Sequence, residues 1–267
     1  MKNNYKYKKE NYNFWVDRLK KNENLVCTND ILLDRIEEDQ IINRINNNKT
    51  ILELGCGNGL ILKRLIKSRK IKKYYGTDFV KELINICIKK YKSKKINFQT
   101  LDMTLIDKNT FKIKYDYIVT KRAIQNVLDT KLQLKTIDDV GYFLKKNGKM
   151  ILVESSINAQ NNINKLRKKF RLTKIIPPFH NLFFDDNKLR MYHFKNVKLV
   201  KIENFSSSFY FTSRIIYALY SKIFLKKKPF YNHPLNIIAT MLDAKLIKED
   251  FSQIKTYIFI KKIDRRK

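Results

Sequence analysis

The stretch Ile51 to Leu60, ILELGCGNGL, holds Gly55, Gly57 and Gly59 within five positions of a chain that has only 6 glycines in 267 residues. Glycines at alternate positions let a backbone turn sharply and leave no Cβ between it and a ligand. The helix expected after them offers free N–H groups and the positive end of its dipole. A dinucleotide fingerprint would read G-x-G-x-x-G and seat a pyrophosphate on the helix start. This turn reads G-C-G-N-G, with Glu53 two residues before its first glycine. A carboxylate in that place repels a pyrophosphate and attracts a cation. Cys56 has no base beside it in sequence and serves as a small residue between glycines.

Further reactive groups stand at the ends of short apolar runs. Asp78 closes KKYYGTDF, and Asp102 with Met103 closes KINFQTLDM. TKRAIQN supplies Thr120, Lys121, Arg122, Gln125 and Asn126, VESS supplies Glu154, and PPFHNLFFDD supplies His180, Asn181 and Asp185. Either aspartate could cap a helix or sit in a solvated turn; the C-terminal end of a strand, where open α/β sheets bind ligands, favours a site. His180 is one of three histidines, with His193 and His233. A loop histidine is a packing residue or a proton acceptor near neutral pH. Cys27, Cys56 and Cys87 are odd in number and lack metal-ligand spacing, which suits a reducing compartment.

The elements that must position these groups are legible from periodicity. Residues 1–48 read as an N-terminal helical cap, with Asn29 or Asp30 capping its second helix. From Thr50 the period changes. Strands are expected at TILEL, KKYYGTDF, KINFQTLDM, YDYIVT, KMILVESS, VKLVKIENF and FSQIKTYIFIKKI. Between them lie helices with apolar stripes Leu60, Ile61, Leu65, Ile66 and Leu83, Ile84, Cys87, Ile88, Tyr91, and a helix closed by Gly148. A basic helix NNINKLRKKF follows, with further helices near 209–225 and 234–245. Alternation of this kind gives right-handed crossovers and a seven-stranded, mostly parallel, Rossmann-like sheet with helices on both faces. Residues 49–267 are expected to form that α/β domain, with substrate-side helical insertions at 157–195 and 205–248.

ILELGCGNG resembles motif I of the class I S-adenosylmethionine-dependent methyltransferases, an acid followed by G-x-G-x-G. Asp78, LDM, YDYIVT and LKKNGKMILVES follow in that family's order, so the resemblance covers residues 29–156. It implies S-adenosyl-L-methionine as cofactor, held by Glu53, Gly55, Cys56, Gly57, Gly59, Asp78, Phe79, Asp102, Met103 and Thr120. Within that set, Asp78 would take the ribose hydroxyls, Asp102 the adenine amino group, and Glu53 would carry a charge facing the amino or sulfonium side. A narrower similarity, through TKRAIQN, VESS, NKLRKKF and PPFHNLFFDD, is to a bacterial group associated with surface-polysaccharide or sugar modification. It implies His180, Arg122 and Glu154 as catalytic groups, Lys121, Asn126, Arg167 and Asn181 as substrate contacts, and Asn164 as a further element. Phe179 stands where that group would have tryptophan. IPPF is similar to the nucleobase amino-methyltransferase motif, but Ile176 replaces its polar first residue and the motif follows the wrong strand.

The formal net charge of +32 invites a nucleic-acid partner. Lysines outnumber arginines by 45 to 12 and are scattered along the chain, while Asn, Ile, Tyr and Phe are abundant, so codon drift is the favoured source of the charge over a nucleic-acid partner. The expected activity is methyl transfer to a small molecule or sugar at oxygen. The alternatives are an RNA methyltransferase using the basic surface and a non-catalytic cofactor-binding subunit. No secretory h-region opens the chain and no run of about eighteen apolar residues occurs, so a cytoplasmic protein without a membrane span is expected. SSSFYFTSRIIYALYSKIFLKKKPF is either a packed substrate-side helix or an interfacial one with Lys226, Lys227 and Lys228 at headgroups.

Overall fold

The apolar runs pair into one sheet. A computed structural model, which describes residues 2–244 and 246–262, contains strands β1 (Lys49–Leu54), β2 (Ile71–Asp78), β3 (Ile96–Thr100), β4 (Tyr115–Lys121), β5 (Leu144–Ser155), β6 (Val197–Asn204) and β7 (Ile254–Lys261). Their spatial order is β3-β2-β1-β4-β5-β7-β6. The first five are mutually parallel, and β7 runs antiparallel between β5 and β6. From β1 the chain builds outward to β2 and β3, then returns to place β4 on the other side. A crevice therefore opens beyond the C-terminal ends of β1 and β4. Ile263, the last residue of the expected final strand, lies outside the described residues.

Two helices precede the sheet, α1 (Lys2–Lys21) and α2 (Ile31–Ile42). Asp30 caps α2, its carboxylate accepting from Leu33 N–H at 3.1 Å. The crossovers carry α3 (Leu60–Lys67), α4 (Lys81–Lys90) and α5 (Thr130–Gly141), followed by α6 (Ile157–Lys169) and α7 (Asp186–Met191). Between β6 and β7 a bent helical run begins with α8 (Ser207–Phe211) and continues through two π turns that flank α9 (Tyr217–Tyr220). It is followed by α10 (Pro234–Met241). No helix among the described residues is long and apolar enough to cross a membrane.

Strand alternation divides the core. Ile51, Tyr74, Tyr117, Val119 and Ile151 face one layer with residues of α2 and α3, whereas Leu52, Leu54, Ile118, Met150 and Leu152 face the other with α5. Three expectations change. Gly148 does not close a helix: α5 ends at Gly141, and Gly148 lies within β5, after Asn147 (φ 65°), at the register shift that precedes continuous pairing with β4 from Lys149. In α3 the buried face is Ile61, Leu62 and Leu65, leaving Ile66 exposed. In α4, Ile88 likewise points to solvent, because the helix is covered only along Leu83, Ile84 and Cys87.

Candidate active site

The chain leaves β1 through a left-handed turn. Gly55 has φ 69° and Gly57 φ 53°. A Cβ on Gly55 would come within 2.4 Å of Ala123 Cβ, and one on Gly57 within 2.5 Å of Cys27 Sγ. The turn thus requires glycine for both torsion and space. Its backbone meets the end of β2: Gly57 N–H and Val80 N–H donate to the two carboxylate oxygens of Asp78, each at 2.9 Å. Burial pushes the Asp78 pKa up to about 6, against the pull of those two donors.

A cavity of about 430 Å³ lies over this turn. Gly55, Gly57, Asp78, Phe79, Asp102 and Met103 line one side of it. Asp102 accepts from Thr104 N–H and Lys8 Nζ at 2.9 and 2.7 Å. Burial raises the Asp102 pKa, but the donors Lys8 and Thr104 outweigh it and hold the carboxyl below its ordinary value.

Helix α1 roofs the cavity. Asn11 Nδ2 donates to Asn126 O at 3.0 Å, Tyr12 OH to Glu82 at 2.6 Å, and Arg18 to the carbonyls of Val26 and Leu25. Beneath the roof, the His180 ring stacks on Phe14 with centroids 4.0 Å apart. Burial and then the nearby Arg18 charge lower the His180 pKa to about 4, so its imidazole is neutral through the physiological range. Four cavity-lining residues hold buried polar atoms that find no partner within the protein: Asn11 Oδ1, Asn126 Oδ1, Asn181 Oδ1 and His180 Nδ1. Such atoms are costly unless something else bonds to them.

Lys121 and Arg122 also line the cavity, yet both are already paired. Lys121 Nζ lies 2.6 Å from Asp34 and 3.2 Å from Glu38, and Arg122 reaches Asp34 at 2.7 Å and Glu37 at 2.9 Å. Burial pushes the Glu37 pKa up to about 7, with Arg122 opposing it. The carboxylates of α2 thus occupy the cations expected to grip an acceptor. Their signal in sequence was the acid density of DRIEEDQ within so basic a chain.

Several expected site residues stand off the cavity wall. Glu53 is buried on the Ile51 side of β1, accepting from Tyr74 OH at 2.5 Å. Burial pushes its pKa up to about 8, against the Tyr74 hydrogen bond that favours the carboxylate. Glu154 is fully buried and is not positioned as a catalytic group. It accepts from Thr120 OH at 2.6 Å and from the N–H groups of Ala123, Ile124 and Gln125, fixing the loop after β4. Arg167 braces the substrate-side insertions by donating to the carbonyls of Thr173 and Arg214 instead of facing the acceptor. Asn164 pins Ile175 through both its N–H and its carbonyl, at 2.9 Å each. Cys56 and Gly59 belong to the turn but not to the wall. Residues missed by sequence reasoning, Phe14, Trp15, Arg18, Tyr210 and Arg214, come from α1 and from the run after β6.

The glycine turn leaves backbone open beside Asp78, and Asp102 stands next to the apolar Met103, a pair of acceptors and an apolar face that fit a nucleoside cofactor carrying ribose hydroxyls and a base. Comparison with known proteins agrees. A family model described as "Methyltransferase domain" matches residues 45–207. The ribosomal RNA small subunit methyltransferase A of Mesomycoplasma hyopneumoniae (strain 232) is 27% identical over 218 residues, 76% of this chain and 77% of that protein. The fold resembles the N-methyltransferase NodS of Bradyrhizobium japonicum WM9 in complex with S-adenosyl-l-homocysteine, with TM-score 0.57 at 9% identity over 95% of this chain and 99% of that one. It also resembles a chain from the Haloferax volcanii complex of the Trm112 methyltransferase activator with a methyltransferase, with TM-score 0.58 at 11% identity over 92% and 96%. The chain therefore belongs to the methyltransferase domain family, and its fold is that of the class I S-adenosylmethionine-dependent methyltransferases it resembles.

Proposed function

We propose that the acceptor is a small hydroxyl-bearing molecule, such as a sugar, methylated at oxygen. What supports this reading is the set of unpartnered buried atoms around the roofed cavity. Asn11 Oδ1, Asn126 Oδ1, Asn181 Oδ1 and His180 Nδ1 call for hydrogen-bond donors, which a polyol supplies and an apolar ligand does not. The roof formed by α1 encloses a volume suited to small ligands.

S-adenosyl-L-methionine supplies a methyl group already activated on a sulfonium, so the protein's work is alignment, exclusion of water and removal of one proton. Asp78 and Asp102 would hold the cofactor's nucleoside, with Phe79 and Met103 beside it on the same wall. α1 shuts out water. Neutral His180 would accept the proton of an acceptor hydroxyl through its unpartnered Nδ1 as that oxygen is methylated. The acceptor oxygen becomes strongly acidic as it is alkylated, so a weak base suffices. The proton would then pass to solvent.

Mass spectrometry of reactions with sugar nucleotides and free glycans tests the reading. An acceptor gaining one methyl group at a hydroxyl is expected; methyl gain at nitrogen alone would contradict the oxygen assignment. A second reading, methylation of RNA, draws on the rRNA methyltransferase relative and the charge of +32. It requires methyl incorporation into RNA together with affinity that falls steeply with salt.

Asp78 gives a prediction for the cofactor. Its carboxyl, raised to about 6, is ionised at neutral pH and can accept two ribose hydroxyls. Protonation removes that capacity. S-adenosylhomocysteine affinity is therefore expected to be full above about pH 7 and to weaken as pH falls through about 6, by up to about tenfold per unit. Asp78→Asn should weaken binding by roughly 10–100-fold and flatten the profile. Calorimetric titration checks both; an unchanged profile in the variant would remove Asp78 from the cofactor site.

A further inference from the structure

Two acid-free stretches of the chain meet beside the mouth of the cavity. Residues 155–184 and 204–242 contain no Asp or Glu, and between them they carry eleven Lys and Arg. The first forms a groove of about 560 Å³ lined by Lys165, Lys168, Arg171, Lys174 and two asparagines. The second is joined to it where Lys222 Nζ donates to Arg171 O at 2.8 Å.

That second stretch carries an exposed apolar ridge. Ile223 is 59% exposed, Phe224 70% and Met241 78%, with Ile237 and Ile238 exposed on the same helix as Met241. Its aromatic part is joined by ring contacts: the Tyr220 ring lies 5.4 Å from Phe224 and 6.2 Å from His233, which in turn lies 5.2 Å from Phe230 and caps the start of α10. Lys226, Lys227 and Lys228 are exposed beside it. The ridge reaches the active site, because exposed Tyr231 and Ile176 line the cavity and Arg214 sits 5.6 Å from the Tyr231 ring.

Large contiguous apolar surfaces on a soluble domain mark an interaction site. Here the apolar groups are flanked by lysines. Aliphatic and aromatic side chains entering an acyl boundary while lysines meet phosphate headgroups is the chemistry of an interfacial surface. We propose that this face docks on an anionic lipid bilayer, with the mouth of the cavity turned toward it. Docking does not depend on which acceptor the enzyme uses. It would place the cavity where an amphipathic, membrane-held acceptor arrives.

Flotation of the full chain with vesicles of phosphatidylcholine alone, and of phosphatidylcholine with roughly one-third phosphatidylglycerol, tests the proposal. The protein is expected to float with the anionic vesicles. The double variant Ile223→Asp, Phe224→Asp is expected to lose about tenfold or more of that binding while S-adenosylhomocysteine affinity stays unchanged, which reports an intact fold. No flotation at low salt overturns the proposal. So does flotation that the double variant retains, since scattered charge alone would then explain it. Sedimentation showing a dimer that the same substitutions dissociate overturns it too, by assigning the ridge to a second copy of the chain.

Discussion

His180→Gln is expected to lower turnover by about 10²–10³-fold and leave S-adenosylmethionine binding unchanged. The imidazole is buried against Phe14, edge-on to Trp15 and Phe179, and its Nδ1 has no partner in the protein. Glutamine keeps polarity and most of the volume but cannot take a proton, so the loss should appear in kcat more than in KM. Because His180 is held near a pKa of about 4, the wild-type rate should show no histidine limb between about pH 6 and pH 8. Single-turnover kinetics with the natural acceptor read both effects. A variant with full turnover would leave His180 as a packing residue of the roof.

Asp34→Ala is expected to destabilise the protein by about 3 kcal/mol or more, lowering Tm by roughly 10 °C. Asp34 is the shared partner of Lys121 and Arg122, and its removal leaves two buried cations with only Glu38 and Glu37. Those remaining pairs set the loss at the lower end of the range for broken buried ion pairs. Burial raises the Asp34 pKa, but the two cations outweigh it and hold the carboxyl below its ordinary value. A depressed folded pKa contributes stability that is present above about pH 4 and is lost as pH falls further. Thermal unfolding measured across that range should show the wild type losing part of its advantage over the variant in acid. Equal Tm values at neutral pH would mean that the α2 carboxylates do not anchor the loop after β4.

The contrast between Glu53 and Asp78 shows how far residue spacing can carry. Both acids stand at strand ends beside the glycine turn, and the turn itself is legible because Gly55 and Gly57 adopt torsions that other residues avoid. Period two along β1 then sends Glu53 to the Tyr74 side of the sheet, whereas Asp78 lines the cavity. The strands were legible for a related reason: strands buried on both faces read as short continuous apolar runs between polar turns.

Long-range pairing was not legible. Lys121 and Asp34 lie 87 residues apart, and nothing local to TKRAIQN announces that its cations are already matched. Glu154 misled in the same way. At the end of β5 it has the placement of a catalytic acid, but three backbone N–H groups and Thr120 consume its oxygens. Arg167 does the same in α6, where its guanidinium is spent on two carbonyls. The roof of the site was hidden because α1 reads only as a polar helix until Asn11, Phe14 and Arg18 are seen to converge on His180 and Asn126.

The proposed reaction is methyl transfer in the roofed cavity to a small hydroxylated acceptor. Its most direct test is incorporation of labelled methyl from S-adenosylmethionine when the purified enzyme meets the small-molecule fraction and the RNA fraction of a cell extract in one reaction. Label in the small-molecule fraction, retained on an oxygen and reduced by His180→Gln, is the predicted result. Label confined to RNA, with the small-molecule fraction unmarked, would contradict the account.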